Sequence, residues 1–329
     1  MTKKKLSYAK AINEAFKYIL NKNKESYIIG QGLWSPWYVG STMNNLEKEY
    51  GKNRVIDTPV SEAALTGMAL GSSIHGMKPI VIHPRMDFAI LAMDQILNQS
   101  NNWKLMFGGN SKVNISIRAI INRGGSQGAQ HSQDLHSIFS HFPNLKVFMP
   151  YSPSDAYNML ISSINLNEPV IYIDDRWLYD EIGEVELLID NKFKNKFEPK
   201  IIKKGEDITI ISCGYSTKIS KSVSNDLKKK GVSAELIDLR QINSINYNKI
   251  YKSVEKTKRY AVIDGSWSFC GLSDSIIASV EKKINFQTKT KPISFNIFDS
   301  PAPTSEYLED YYYLDHIKIS KSILKFFYK

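Results

Sequence analysis

Cysteine is scarce. The 329 residues contain only two, Cys213 and Cys270, and neither lies in a C-x-x-C pair. This excludes a disulfide framework or a zinc knuckle and fits a reducing, cytoplasmic setting. Long apolar runs are also missing: none approaches the roughly 20 residues of a membrane helix, so no membrane partner is expected. The N-terminal MTKKKLSYAK carries lysines but no apolar stretch behind them, so no secretory signal is expected either. The six histidines show no metal-ligand spacing, and no metal ligand is assigned to this chain. There is no phosphate loop ending in Gly-Lys-Ser/Thr, no dinucleotide fingerprint and no G-x-S-x-G elbow, and neither cysteine sits in a nucleophile motif.

What is present describes a globular chain, 42% hydrophobic and 23% charged, long enough for two domains. The formal net charge is +10, but the lysines are spread over many segments and no arginine–aromatic pattern accompanies them. Nucleic acid is therefore not an expected partner; a basic surface also suits an acidic protein. Short β-branched runs alternate with helical patterns, the signature of α/β architecture with largely parallel sheets flanked by helices. Strands are predicted at Tyr27–Gly30, Arg54–Ile56, Pro79–Ile82, Asn114–Ala119, Lys146–Met149 and Val170–Ile173. The intervening helices are Glu62–Ile74, Phe88–Leu105 and Ser154–Asn165. A second series follows, with strands Ile208–Cys213, Ala234–Asp238, Tyr260–Ile263 and Ile293–Phe298 and a helix Thr217–Lys230 stopped by Gly231. The expected domains are 1–190 and 205–329, with a linker at 191–204 inside the charged, irregular stretch Leu187–Asp207.

Four segments fall just beyond predicted strand ends, where such folds place their sites. In Asp57–Glu62, Ser61 reads as an N-cap. Glu62 is either a first-turn residue favoured by the helix dipole or a buried carboxylate for a heterocyclic nitrogen. The small residues behind it, Ala63, Ala64, Gly67, Ala69 and Gly71, allow close packing of that helix. In His83–Phe88, Phe88 is a core aromatic or a ring for stacking. His83 and Arg85 flank Pro84, and Arg85 either grips a substrate carboxylate or phosphate or pairs with Asp87. In Arg123–Gln133, Gly124, Gly125 and Gly128 signal tight turns or close backbone approach, and His131 is either a proton-transfer group or a surface residue. The fourth segment, Asp174–Tyr179, contains Arg176.

Taken in order, VIDTPVSEAALTGMALGSSIHGMKPIV, AMDQILNQSNNWKLMFGG, GAQHSQDLHSIFSHFPNLKVFMPYSPSDAYNMLISSI, NEPVIYID, ISCGYSTKISKSVSNDLKKKGVSAELIDLRQI and Asp299–Pro303 resemble the β subunits of 2-oxoacid dehydrogenase E1 enzymes. The resemblance spans nearly the whole chain. It implies a thiamine-diphosphate pyrimidine-binding domain followed by a transketolase C-terminal-type domain. It also implies decarboxylation of a 2-oxoacid and transfer of the acyl unit to a lipoyl carrier. By the same resemblance Glu62 matches the glutamate that hydrogen-bonds N1′ of the aminopyrimidine, and Phe88 matches the aromatic packed on that ring. Val60 and Pro84 match wall positions, and His131 matches the histidine of acyl transfer. The family's diphosphate is held through Mg2+ by a Gly-Asp-Gly motif that this chain lacks; its Asp264-Gly265 lies in the second domain. An α-type partner in an α2β2 heterotetramer is therefore implied, with a lipoyl-bearing E2 as a further partner.

Three positions depart from the family's better-known members: His83–Phe88 replaces a largely apolar or amide-containing stretch, Gln31 replaces an acid, and Arg176-Trp177 replaces a Glu-containing segment. His83, Arg85 and Arg176 are thus candidate substrate residues for an anionic or polyhydroxylated molecule. The alternative function is half of a thiamine-diphosphate carboligase or split transketolase. Gln130-His131-Ser132-Gln133 favours the dehydrogenase; the two arginines favour the alternative.

Overall fold

The computed structural model describes residues 2–188 and 197–327. They form two α/β units. The first comprises Met1–Arg123 and His131–Phe197, and the second comprises Gly124–Gln130 and Glu198–Lys329. Six residues of the expected linker, 191–196, lie outside the described residues; its later part, Lys200–Lys203, is a strand.

The first unit contains β1 (Thr2–Ser7), β2 (Ser26–Gly30), β3 (Val55–Asp57), β4 (Lys78–His83), β5 (Ser116–Ile121), β6 (Lys146–Phe148), β7 (Val170–Asp175) and β8 (Ile182–Leu187). Six of these make a parallel sheet in the order β3-β2-β4-β5-β7-β6. Every residue of β2, β5 and β7 is buried, which is why these strands read as near-continuous apolar runs rather than alternating ones. The helix Tyr8–Lys22 turns Tyr8, Ala11, Ile12, Ala15, Phe16, Ile19 and Leu20 to the core at helical spacing, and Ser7 caps its first turn through the Lys10 N–H.

The helix Glu62–Ile74 matches its predicted bounds and buries Leu65, Thr66, Ala69 and Leu70. Ser61 precedes it but makes no side-chain capping bond. At the helix Pro153–Ser163 the cap is Ser152, which accepts from the Asp155 N–H; the expected start at Ser154 is one residue late. The stretch expected as one helix, Phe88–Leu105, changes register along its length. A turn at Met86–Ala89 is followed by a 3₁₀ turn at Ile90–Ala92, a π-helical segment at Asp94–Ser100 and an α-helical end at Asn101–Met106. The π register is a local widening that recurs beside functional sites.

The second unit holds β9 (Lys200–Lys203), β10 (Ile208–Ser212), β11 (Ala234–Asp238), β12 (Tyr260–Ile263) and β13 (Ile293–Phe295) in the order β13-β12-β10-β11-β9. All pairs are parallel except the edge strand β9, which runs antiparallel to β11. Ile219, Val223 and Leu227 of the helix Gly214–Lys228 join Ile210, Leu236, Ile319 and Ile323 in its core. The glycine-rich segment Gly124–Gln130 is part of this unit. Its Gly124 N–H donates to Tyr313 Oη (3.1 Å) and its Ser126 N–H to the Glu309 carboxylate (3.2 Å). Gly124, Gly125 and Gly128 have φ of 75°, 68° and 71°, the left-handed backbone that L side chains avoid. A Cβ on Gly128 would also stand 2.8 Å from Thr304 Cγ2.

Candidate active site

The carboxyl ends of β3, β4, β5 and β7 and the turns after them carry the candidate site residues and a cluster of buried charges. Most of that charge is internally matched. Arg118, fully buried in β5, makes a two-pronged pair with Asp174 (2.9 and 2.7 Å) and also donates to Thr42 Oγ1 (2.8 Å) and Tyr179 Oη (2.9 Å). Arg123 bonds Asp175 (2.6 Å) and Asp134 (2.7 Å), and Asp134 also holds His136 Nδ1 at 2.5 Å. Burial opposes ionisation of Asp134, but His136 and Arg123 beside it hold its carboxyl well below the usual carboxylate range. These two networks fix the backbone on which the site residues stand.

Glu62 opens its helix with a side chain only 6% exposed, and its carboxylate has no hydrogen-bond or ion-pair partner among the described residues. An unpartnered carboxylate on a largely buried side chain beyond a strand end is a ligand-facing feature. Four residues on, Thr66 Oγ1 meets His83 Nε2 at 3.3 Å. His83 ends β4 at 1% exposure. Burial pushes its pKa down to about 4, so it is a neutral imidazole, and its Nδ1 has no partner. His83 thus lies beneath the surface, while Arg85 and Arg176 are only half-buried.

Phe88 is half-buried, outside the core, and its ring lies edge-on to His131 with centroids 5.3 Å apart. Three bonds strap their segments together: Asp87 Oδ1 accepts from the Gln133 backbone N–H (3.1 Å) and side-chain amide (3.0 Å), and Met86 Sδ accepts from the Leu135 N–H (3.2 Å). Asp87 Oδ1 is therefore committed to Gln133, Oδ2 is buried without a hydrogen-bond partner, and among the described residues no ion pair joins Asp87 to Arg85. Pro84 is buried beside Arg85, whereas Val60 is 71% exposed. Together with Met68 (59%) and Leu91 (61%) it leaves apolar side chains on the helix Glu62–Ile74 and the Ile90–Ala92 turn packed against it. The structure thus brings Phe88 and His131 together and leaves Glu62 on the neighbouring helix. Among the described residues no group of three or more His, Cys, Asp or Glu side chains is placed to hold a metal.

Residues absent from the sequence-based set are Arg118, Arg123, Asp134 and Asp175. Their signal was available: arginines within apolar strand runs require carboxylates at neighbouring strand ends, and Asp174-Asp175 supplies two of them.

Comparison with known proteins defines first the class. The transketolase pyrimidine-binding domain matches residues 4–180 and the transketolase C-terminal domain matches residues 198–319. The acetoin:2,6-dichlorophenolindophenol oxidoreductase β subunit of Bacillus subtilis is 31% identical over 93% of each chain. The mitochondrial pyruvate dehydrogenase E1 β subunit of Saccharomyces cerevisiae is 31% identical over 97% of this chain and 88% of its own. A solved split-gene transketolase, described as an inactive β4 tetramer, shares the fold at TM-score 0.75 with 18% identity over 97% of each chain. The chain belongs to the family of β subunits of 2-oxoacid dehydrogenase E1 enzymes, within the transketolase-like group.

Proposed function

We propose that this chain is the β subunit of a thiamine-diphosphate-dependent 2-oxoacid dehydrogenase, supplying the aminopyrimidine half of an active site that an α-type subunit completes. The observation that carries the proposal is Glu62: a largely buried side chain at the head of a helix whose carboxylate has no partner among the described residues, where the resemblance expects the contact to the cofactor's ring nitrogen. When bound, thiamine diphosphate supplies the carbanion chemistry that removes carbon dioxide from a 2-oxoacid. Glu62 accepts and orients the aminopyrimidine through its carboxyl oxygen. Phe88 presents a half-buried aromatic face, and Pro84 and Val60 form apolar wall. His131, held edge-on to Phe88, holds or delivers a proton as the acyl unit passes to a lipoyl carrier.

The diphosphate and its Mg2+ are assigned to the α-type subunit, because this sequence has no Gly-Asp-Gly motif. Exposed Val60, Met68 and Leu91 beside the site support burial under that subunit, in an α2β2 heterotetramer. Among the described residues no helix is long and apolar enough to cross a membrane. Cys213 is buried and Cys270 exposed, with no disulfide between them, which suits a cytoplasmic setting. A second reading keeps the cofactor but passes the unit to an aldehyde, as a carboligase or split transketolase would; Arg85 and Arg176, which have no carboxylate partner, favour it.

Glu62→Gln in the assembled pair tests the proposal. Decarboxylation should fall by at least about 100-fold, the scale for loss of one preorganised bond at the reacting group, while the assembly stays intact by analytical ultracentrifugation. Wild-type turnover in this variant would remove Glu62 from the role.

A further inference from the structure

Arg85 follows β4 and Arg176 follows β7, two strands away across β5 in the same sheet. At about 4.8 Å between neighbouring strands, their backbones are separated by roughly 10 Å, well within reach of two arginine side chains that approach each other. The guanidinium of Arg176 donates to the Tyr38 carbonyl oxygen, and that of Arg85 to its own neighbour Pro84 O (3.0 Å). Neither makes an ion pair among the described residues, and the Nε of each is buried with no acceptor.

Most of the surrounding carboxylate oxygens are already committed; the exception is Asp87 Oδ2, buried without a hydrogen-bond partner and making no ion pair to either arginine. Asp174 pairs with Arg118, Asp175 with Arg123, and Asp87 binds Gln133. Asp57 accepts from the Gly32 and Trp34 N–H groups (2.6 and 3.3 Å). Two residues before Arg85, the buried His83 is neutral. Burial and then the like charge of Arg176 both press the Arg85 guanidinium toward deprotonation. Nearby, the Gln31 amide donates to Tyr38 Oη (3.0 Å). Two half-desolvated cations within electrostatic reach, with spare donors and no ion-paired carboxylate among the described residues, are an arrangement that a bound oxyanion stabilises.

We propose that Arg85 and Arg176 form an oxyanion-binding site that receives a carboxylate or phosphate carried by the substrate in addition to its reacting group. The role of that anion as part of a substrate rests on the thiamine-diphosphate reading above. The site itself does not, because both arginines belong to the first unit of this chain. Such a site selects a molecule with a second negative charge over a small neutral-tailed oxoacid.

The test uses the isolated full chain without cofactor, titrated calorimetrically with inorganic phosphate and, separately, with succinate. The wild-type chain should bind at least one of them with one-to-one stoichiometry. Arg85→Gln/Arg176→Gln should weaken that binding by at least tenfold, and Arg176→Lys, which keeps the charge but loses the fork, by less. Circular dichroism establishes that each variant is folded. Preference for phosphate points to a phosphorylated substrate, and preference for succinate to a dicarboxylic one. Binding of neither anion, or binding unchanged in the folded double variant, overturns the proposal. Anion binding by this chain, combined with failure of the assembled pair to bind thiamine diphosphate, would keep the site and sink the cofactor reading.

Discussion

Acidification probes the burial of His83. Its imidazole is 1% exposed, and burial lowers its pKa from the ordinary 6.5 to about 4. The folded-state value lies below the unfolded one, so the unfolded chain takes up the proton first. The stability tied to the neutral ring is fully present above about pH 6.5, is lost as pH falls toward 4, and falls no further below that. At 1.36 kcal/mol per pH unit the loss amounts to about 3 kcal/mol. The assay is direct: ring-nitrogen NMR on imidazole-labelled protein should show His83 protonating near pH 4. Urea unfolding of His83→Gln should in turn depend on pH between 4 and 6.5 less steeply than the wild type, by about 3 kcal/mol across the window. An inflection near 6.5 for His83 in the native chain, or equal pH slopes in the two proteins, would refute the claim that this ring is sealed from water.

The other predictions concern the proton-transfer residue and the frame that holds the site. His131→Ala should slow acyl transfer to a lipoyl acceptor at least tenfold more than it slows decarboxylation read with an artificial electron acceptor; equal losses would contradict its assigned step. Arg118→Met should destabilise the first unit by about 3–5 kcal/mol, because it leaves the Asp174 carboxylate buried without its partner. Arg118→Met/Asp174→Leu should recover most of that loss in thermal unfolding, and failure to recover would mean that the pair matters through packing rather than charge.

The parallel sheets were legible in the sequence because both of their faces are covered. Strands such as Ile208–Ser212 and Val170–Asp175 spell buried runs, and the small residues of Glu62–Ile74 mark a closely packed helix. The antiparallel pair β1–β8 was not legible. TKKKLS reads as a solvated lysine-rich end, and its partner lies some 180 residues away, with Lys3 opposite Glu186 and Leu6 opposite Gly183. β9 was hidden for the same reason, as a short edge strand in a charged stretch. The register changes after Phe88 leave the apolar spacing nearly helical, so periodicity alone reads a single helix.

At the site, the individual positions stood out by residue type, but their companionship did not. Phe88 and His131 meet across 43 residues of chain through the Asp87–Gln133 strap, which no local pattern encodes. The choice between an Arg85–Asp87 pair and a free Arg85 likewise turned on Gln133, a residue from another loop. The buried arginines were the readable part left unread, since a charge inside SIRAII demands an opposite charge nearby.

The central claim, that this chain carries half of a cofactor site, is tested most directly by calorimetric titration of thiamine diphosphate with Mg2+. The titration is run first on the isolated chain and then on the chain co-purified with its α-type subunit. The account predicts negligible binding to the chain alone and saturable one-to-one binding to the pair, abolished or weakened at least tenfold by Phe88→Ala. Tight binding by the isolated chain would contradict it, because a complete diphosphate site would then reside in these 329 residues.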